Sequence, residues 1–170
     1  MKELLEQYEK IKESIKTSLK EEFPKLIDEN ILEVKWVQYA PYFNDGDACE
    51  FSIHHFEYKF SKELLEKMKL EDKENCYLCS AYEYLEDEGT EYAYIVVRDL
   101  KKLKDEKIRS TIEKIKNFES INRSVDENLR ESVFKAEFGD HVEIIFDGKK
   151  FHINDYDHDW EVTNEKTGNN

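Results

Sequence analysis

The stretch VKWVQYAPYFNDGDACEFSIHHFEYKF, residues 34 to 60, decides the fold. Two aromatic-rich runs flank Asn44-Asp45-Gly46-Asp47. Gly reaches positive φ without steric cost, and Asn and Asp tolerate it better than most residues. An Asp-Gly between apolar runs therefore predicts a β-hairpin. In the first run Val34, Trp36, Gln38, Ala40 and Tyr42 share one face, while Val37, Tyr39 and Phe43 share the other. Bulk on both sides predicts a strand inside a sheet that is covered, at least in part, on both faces. In the second run Cys49, Phe51 and Ile53 alternate with Glu50, Ser52 and His54, and then Phe56, Tyr58 and Phe60 become the bulky set. Such a flip of parity predicts a bulge, or the end of a pairing, near His54-His55.

Upstream, Leu4, Leu5, Tyr8, Ile11, Ile15 and Leu19 recur at helical spacing among Glu and Lys. This predicts an amphipathic helix over residues 2 to 22, ended or kinked by Pro24. Its narrow stripe suits docking on the sheet or pairing with a second copy as a homodimer. Downstream, Ser61 is a candidate N-cap for a short charged helix over 61 to 74, with Leu64, Leu65 and Met68 as its apolar side. Residues 76 to 84 and 91 to 97 read as a second hairpin around the acidic, Gly89-containing turn. A helix is predicted from about Asp105 to Phe118 with Ile108, Ile112 and Ile115 inward. Ser124-x-x-Glu127 has the form of a capping box opening another helix, with Leu129, Val133 and Phe134 inward, and Gly139 suits its left-handed end.

Near the C-terminus Val142, Ile144 and Phe146 alternate, Asp147-Gly148 turns, and Phe151 and Ile153 alternate back. A two-residue loop there would set Ile144 against Phe151 and Glu143 against His152. These elements add up to an α+β fold, an antiparallel sheet of hairpins packed by an N-terminal helix and two later helices. Residues 1 to 160 read as one domain and 161 to 170 as a flexible tail.

At 170 residues, with 13% aromatics, the chain can bury a core and is not a disordered acidic tail. Its net charge of −14 opposes direct contact with nucleic acid or an anionic membrane and suits a partner with a basic surface. Acidity also serves solubility alone. No membrane-length apolar run or signal-peptide core is present, and three cysteines without an export signal are expected to be reduced. A cytoplasmic protein is the expectation.

Cys76-x-x-Cys79 has the spacing of half a zinc site, but the second half-motif is lacking. Asn44 to Asp47 and Asp155, Asp157 and Asp159 cluster oxygens without EF-hand spacing. Turn formation and core packing account for both, so no metal and no cofactor are expected. His54-His55 cannot serve one site from a regular strand, whose neighbours point to opposite faces. Phosphate-binding loops and nucleophile elbows are absent from the sequence, so an enzyme is not expected.

Two stretches carry a resemblance. Trp36-x-Gln38-Tyr39-x-Pro41-Tyr42-Phe43-Asn44-Asp45-Gly46-Asp47-x-Cys49-x-Phe51 and, later, Phe138-Gly139-Asp140-His141-Val142 with Tyr156-Asp157-His158-Asp159 resemble motifs of small, uncharacterised proteins encoded by phages and prophages. The usual form has Thr at the places of Val37 and Ala40, and often Pro at that of Ala48. Residues 61 to 98 read as an insertion relative to it. The resemblance implies a phage or prophage origin and a shared α+β scaffold, and it brings no activity.

A protein that works by binding is therefore expected, in the first place an acidic, anti-CRISPR-like inhibitor of a host nucleic-acid-binding defence complex in the host cytoplasm. Glu83, Glu86, Asp87, Glu88, Glu91, Asp155, Asp157 and Asp159 would stand in for phosphates. An alternative is sequestration of a small nucleotide signal in a pocket of Tyr39, Tyr42, Tyr92 and Tyr94, with Tyr82 beside them and Lys101, Lys102 and Arg109 as positive groups. A virion or structural accessory role is the third.

Overall fold

The computed structural model describes residues 2–42, 48–70, 76–80, 92–97 and 99–156, with the backbone alone at 69–70 and 76–80. The elements are α1 (Lys2–Leu26), β1 (Ile31–Tyr39), β2 (Ser52–Ile53), β3 (Glu57–Phe60), α2 (Lys62–Leu70), β4 (Cys76–Ser80), β5 (Ala93–Val97), a 3-10 turn (Leu100–Lys102), α3 (Glu106–Ser124), α4 (Glu127–Phe138), β6 (Val142–Phe146) and β7 (Phe151–Asp155). The fold is α+β. One antiparallel sheet runs β4-β5-β3-β1-β6-β7, and β2 pairs with β1 beyond β3.

β1 is the central strand, and the ladder explains its two-sided bulk. Val34, Trp36 and Gln38 are 0, 1 and 0% exposed under the helices. All four helices lie on this side, contributing Leu19, Phe23, Leu26, Leu64, Met68, Ile112, Phe118, Phe134 and others to one core. Among the described residues no helix covers the other face, yet Tyr39 there is only 7% exposed, so that face is covered in part. Charge replaces a helix there. Lys35 stands 3.2 Å from Glu57 and 3.7 Å from Glu143, and Lys59 stands 3.2 Å from Glu33. Each charge is matched by a neighbour on the next strand, so the face stays half-buried without an apolar layer.

Gln38 opposes Ile53 and Tyr39 opposes Ser52, the register that a loop centred on Asp45-Gly46 sets. The turn itself, residues 43–47, lies outside the described residues. One residue is gained between β2 and β3, since Val34 opposes Tyr58 and Lys35 opposes Glu57. The expected irregularity thus falls at 54–56, and it swings Phe56, Tyr58 and Phe60 to the core side.

Three local expectations are corrected. Helix α1 continues through Pro24 to Leu26. Proline forfeits one amide donor, but its φ is helical, and burial of Phe23 and Leu26 holds the last turn. Residues 124–127 form no capping box. Ser124 donates to the Ile121 carbonyl at 2.7 Å and closes α3, while the Asp126 carboxylate accepts the Leu129 amide at 3.1 Å and opens α4. In the last hairpin Phe146 opposes Phe151 and Ile144 opposes Ile153, two residues away from the expected register. Only Gly148, with φ +90°, is left-handed there, so Gly148-Lys149 are the central residues, the pattern of a type II′ turn. Asp147 does not take positive φ. Its carboxylate instead accepts the amides of Lys149 and Lys150, at 2.8 and 2.9 Å. A shift by two keeps each side chain on its face, but it sets Glu143 opposite Asn154 and Ile145 opposite His152.

The remaining elements follow their sequence signals. Ser61 Oγ accepts the Leu64 amide at 3.3 Å at the start of α2, and Asp105 caps α3 through the Ile108 amide at 3.1 Å. Gly139, with φ +102°, ends α4. β4 and β5 pair as a hairpin, Ser80 opposite Ala93, and Ala93 opposite Tyr58 joins residues of the expected insertion to the main sheet.

Candidate functional site

The two motif stretches, about 100 residues apart in sequence, meet at one end of the sheet. Gln38 is the junction. Its Oε1 accepts Trp36 Nε1 at 3.1 Å, and its Nε2 donates to the carbonyls of Phe134 at 3.1 Å and Gly139 at 2.7 Å. A fully buried amide with its groups satisfied ties β1 to the end of α4. Asp140 makes the second tie. Its Oδ1 accepts the amides of Ala40 and His141, each at 2.9 Å, and its Oδ2 pairs with Lys135 at 2.8 Å. Partial burial acts to raise the Asp140 carboxyl, but Lys135 and the Ala40 amide outweigh it and hold it below the ordinary aspartate value. Trp36, Gln38, Gly139 and Asp140 therefore serve the scaffold.

What those ties present is a ring cluster. Tyr39 stacks on His54, with centroids 4.5 Å apart and planes at 17°. Tyr42 stacks on His141 at 4.2 Å and 23°. Tyr39 also lies 6.2 Å from His141 and 5.5 Å from Tyr156. Tyr42 is 66% exposed. His141 has φ +55°, uncommon for a residue with a side chain, and its Nδ1 lies 3.1 Å from Asp140 Oδ1. Its Nε2 is buried without a hydrogen-bond partner. A histidine at positive φ, held from one side by a carboxylate and flanked by exposed tyrosine, offers a platform for stacking.

The other two candidate tyrosines form a second group on the same uncovered face. The Tyr92 hydroxyl donates to Glu33, and its ring lies 4.6 Å from Lys35 Nζ and 5.7 Å from Lys59 Nζ. Tyr94 lies 4.9 Å from His55. The irregular backbone at 54–56 sets the two histidines on different tyrosines, His54 on Tyr39 and His55 on Tyr94. Tyr82 lies outside the described residues. Of the basic candidates, Lys101 and Lys102 are exposed on the 3-10 turn, while Arg109 and the nearby Lys107 are engaged within the chain. Lys107 pairs with Glu29 and Glu63, and Arg109 Nη1 donates to the Leu103 carbonyl.

Of the acidic candidates, Asp155 is exposed at the end of the edge strand β7. Glu83, Glu86, Asp87, Glu88, Glu91, Asp157 and Asp159 lie outside the described residues. The strands that flank the two acidic runs in sequence, β4–β5 and β7, occupy opposite edges of the sheet. A cavity of about 190 Å³ opens between the 53–56 segment and the facing helices, lined by Phe56, Glu119, Asn122, Arg123 and Arg130 among others. No sequence signal marked it, because its lining comes from three separate elements. His141 and Tyr156 were legible only as members of the second motif.

Among the described residues no three His, Cys, Asp or Glu groups are arranged to hold a metal. The Cys76 and Cys79 side chains and the acid runs at 43–47 and 157–159 are not among those residues. No described helix is long and apolar enough to cross a membrane. The chain matches no family model, no curated protein and no solved structure.

Proposed function

We propose that the chain acts by binding, as an accessory protein of phage or prophage origin whose acidic surface occupies the nucleic-acid groove of a host defence complex of the CRISPR-effector kind. The observation that carries this reading is charge. Forty acidic residues meet twenty-six basic ones, and Lys16, Lys20, Lys35, Lys59, Lys107 and Lys114 are already held by carboxylates of this chain. The excess is therefore left for a partner. Glu83, Glu86, Asp87, Glu88 and Glu91 form one acidic group and Asp155, Asp157 and Asp159 the other.

The test is a gel-shift assay of a purified effector complex on its DNA target. The protein should block binding, and block it less as salt rises, because screening shortens the reach of exposed charges. Glu86→Lys, Asp87→Lys, Glu88→Lys in one variant, and Asp155→Lys, Asp157→Lys, Asp159→Lys in another, should separate the two groups. If both variants inhibit as well as the wild type at low salt, the charge reading fails.

One observation favours a second reading, sequestration of a small nucleotide. The exposed Tyr42 ring, stacked on His141 with its unpartnered Nε2, is a surface on which a base can stack. Under this reading Tyr42→Ala abolishes nucleotide binding in calorimetry and the acidic reversals leave it unchanged.

A further inference from the structure

Helix α1 is apolar along one stripe, but its own chain covers only part of it. Leu19, Phe23 and Leu26 are 2, 0 and 1% exposed, and Ile15 packs against the core. Leu4, Leu5, Tyr8 and Ile11 are 69, 61, 46 and 51% exposed. At 1.5 Å per residue a helix of 25 residues is about 37 Å long, so its first turns form a rod anchored at the far end. Leu4, Tyr8, Ile11 and Ile15 follow intervals of four, three and four, the spacing of a two-stranded helical seam.

We propose that the first half of α1 pairs with the same segment of a second copy, the two helices running antiparallel. The charges choose both partner and direction. From Lys2 to Glu9 the helix carries Lys2 against Glu3, Glu6 and Glu9, and from Lys10 to Lys16 it carries Lys10, Lys12 and Lys16 against Glu13. Lys16 is already paired to Glu13 and to Glu137 of α4, which leaves Lys10 and Lys12 as the positive groups for a partner. The first half is net negative and the second net positive by the same amount. Parallel copies would set like halves together. Antiparallel copies centred between Glu9 and Lys10 set each negative half on a positive one, with Tyr8 on Ile11 at the centre and Leu4 beside Ile15, which is half-buried on its own core. The segment as a whole is neutral in a chain of net charge −14, so it is a place where two copies can approach without mutual repulsion. A seam of so few side chains is smaller than the roughly 800 Å² per partner of a standard interface, so the pair is weak and depends on concentration.

Sedimentation equilibrium of the full chain tests this. The mass should rise from 20.4 kDa towards twice that value as concentration increases. Ile11→Asp should hold it at the monomer value with an unchanged melting temperature, since Ile11 is exposed. Glu6→Lys, Glu9→Lys, Lys10→Glu, Lys12→Glu in one chain swaps the two halves. That variant should pair with itself and not with the wild type, whereas parallel helices would prefer the mixed pair. A wild type that stays monomeric at the highest concentration, a dimer untouched by Ile11→Asp, or preferential mixing with the swapped variant would each overturn the proposal.

Discussion

Gln38 shows how much one side chain can decide. It is fully buried, and it satisfies an indole N–H, a helix carbonyl and the carbonyl of the residue that ends α4. Gln38→Leu keeps the volume and strips Trp36 Nε1 and the Gly139 carbonyl of that partner. We expect a loss of about 2–4 kcal/mol in urea unfolding, because unsatisfied groups in a low-dielectric core cost more than the bond itself contributes. Tyr42→Ala is the contrast. Its ring is mostly in water, so the melting temperature should barely move, which makes it a clean probe of the ring cluster. Gly148→Val should lower the melting temperature for two reasons. Position 148 has φ +90°, which a β-branched residue resists, and a Cβ there would lie 3.0 Å from Ile27 Cγ2.

Among elements, α1 and β1 meet at Phe23. Its ring lies 5.2 Å from Trp36, 5.1 Å from Phe118, 5.8 Å from Phe146 and 5.2 Å from Phe151, so it joins two helices and three strands. Phe23→Ala removes that joint, and a loss of about 3–5 kcal/mol is expected, with a fall in helical circular dichroism if α1 detaches. The β6–β7 hairpin is less demanding. Its two-residue register shift preserved the apolar face, because side chains alternate with period two and any even slip returns them to the same side. That periodicity is why the hairpin was legible in the sequence while its pairing was not. The pairing depended on Asp147 accepting two amides with its side chain, an arrangement that an Asp-Gly pair does not announce.

For the molecule as a whole, acid should be destabilising in a specific window. Asp28, Asp140 and Asp147 all titrate below their ordinary values. Partial burial opposes the shift at Asp28, and Lys114 with the Ile31 and Asn30 amides overcomes it. At Asp147 the cause is His152, then the Lys150 and Lys149 amides. A carboxyl whose folded value is depressed binds its proton more readily when unfolded. Its contribution is complete above the unfolded value, near pH 4, and is lost as pH falls through the folded value. Melting temperature should therefore decline as the pH drops below about 4, and Asp140→Asn, which keeps an acceptor but not the charge, should flatten part of that decline.

The sequence by itself determined the element types, the inward faces of the helices, the break in parity at His54-His55 and the excess of acid. Each of these is a local or summed property, fixed by periodicity, turn chemistry or composition. Tertiary structure alone decided that β1 is central and that, among the described residues, the helices lie on one face, because Val37 and Tyr39 read the same whether a helix or a ladder of charges lies over them. It alone set the two motif stretches side by side. Gln38 and Asp140 reach backbone groups about 100 residues away, and such bonds leave no mark on the sequence near either end. The exposure of half of the α1 stripe belongs to the same class, since a continuous apolar spacing does not say where the body that covers it stops.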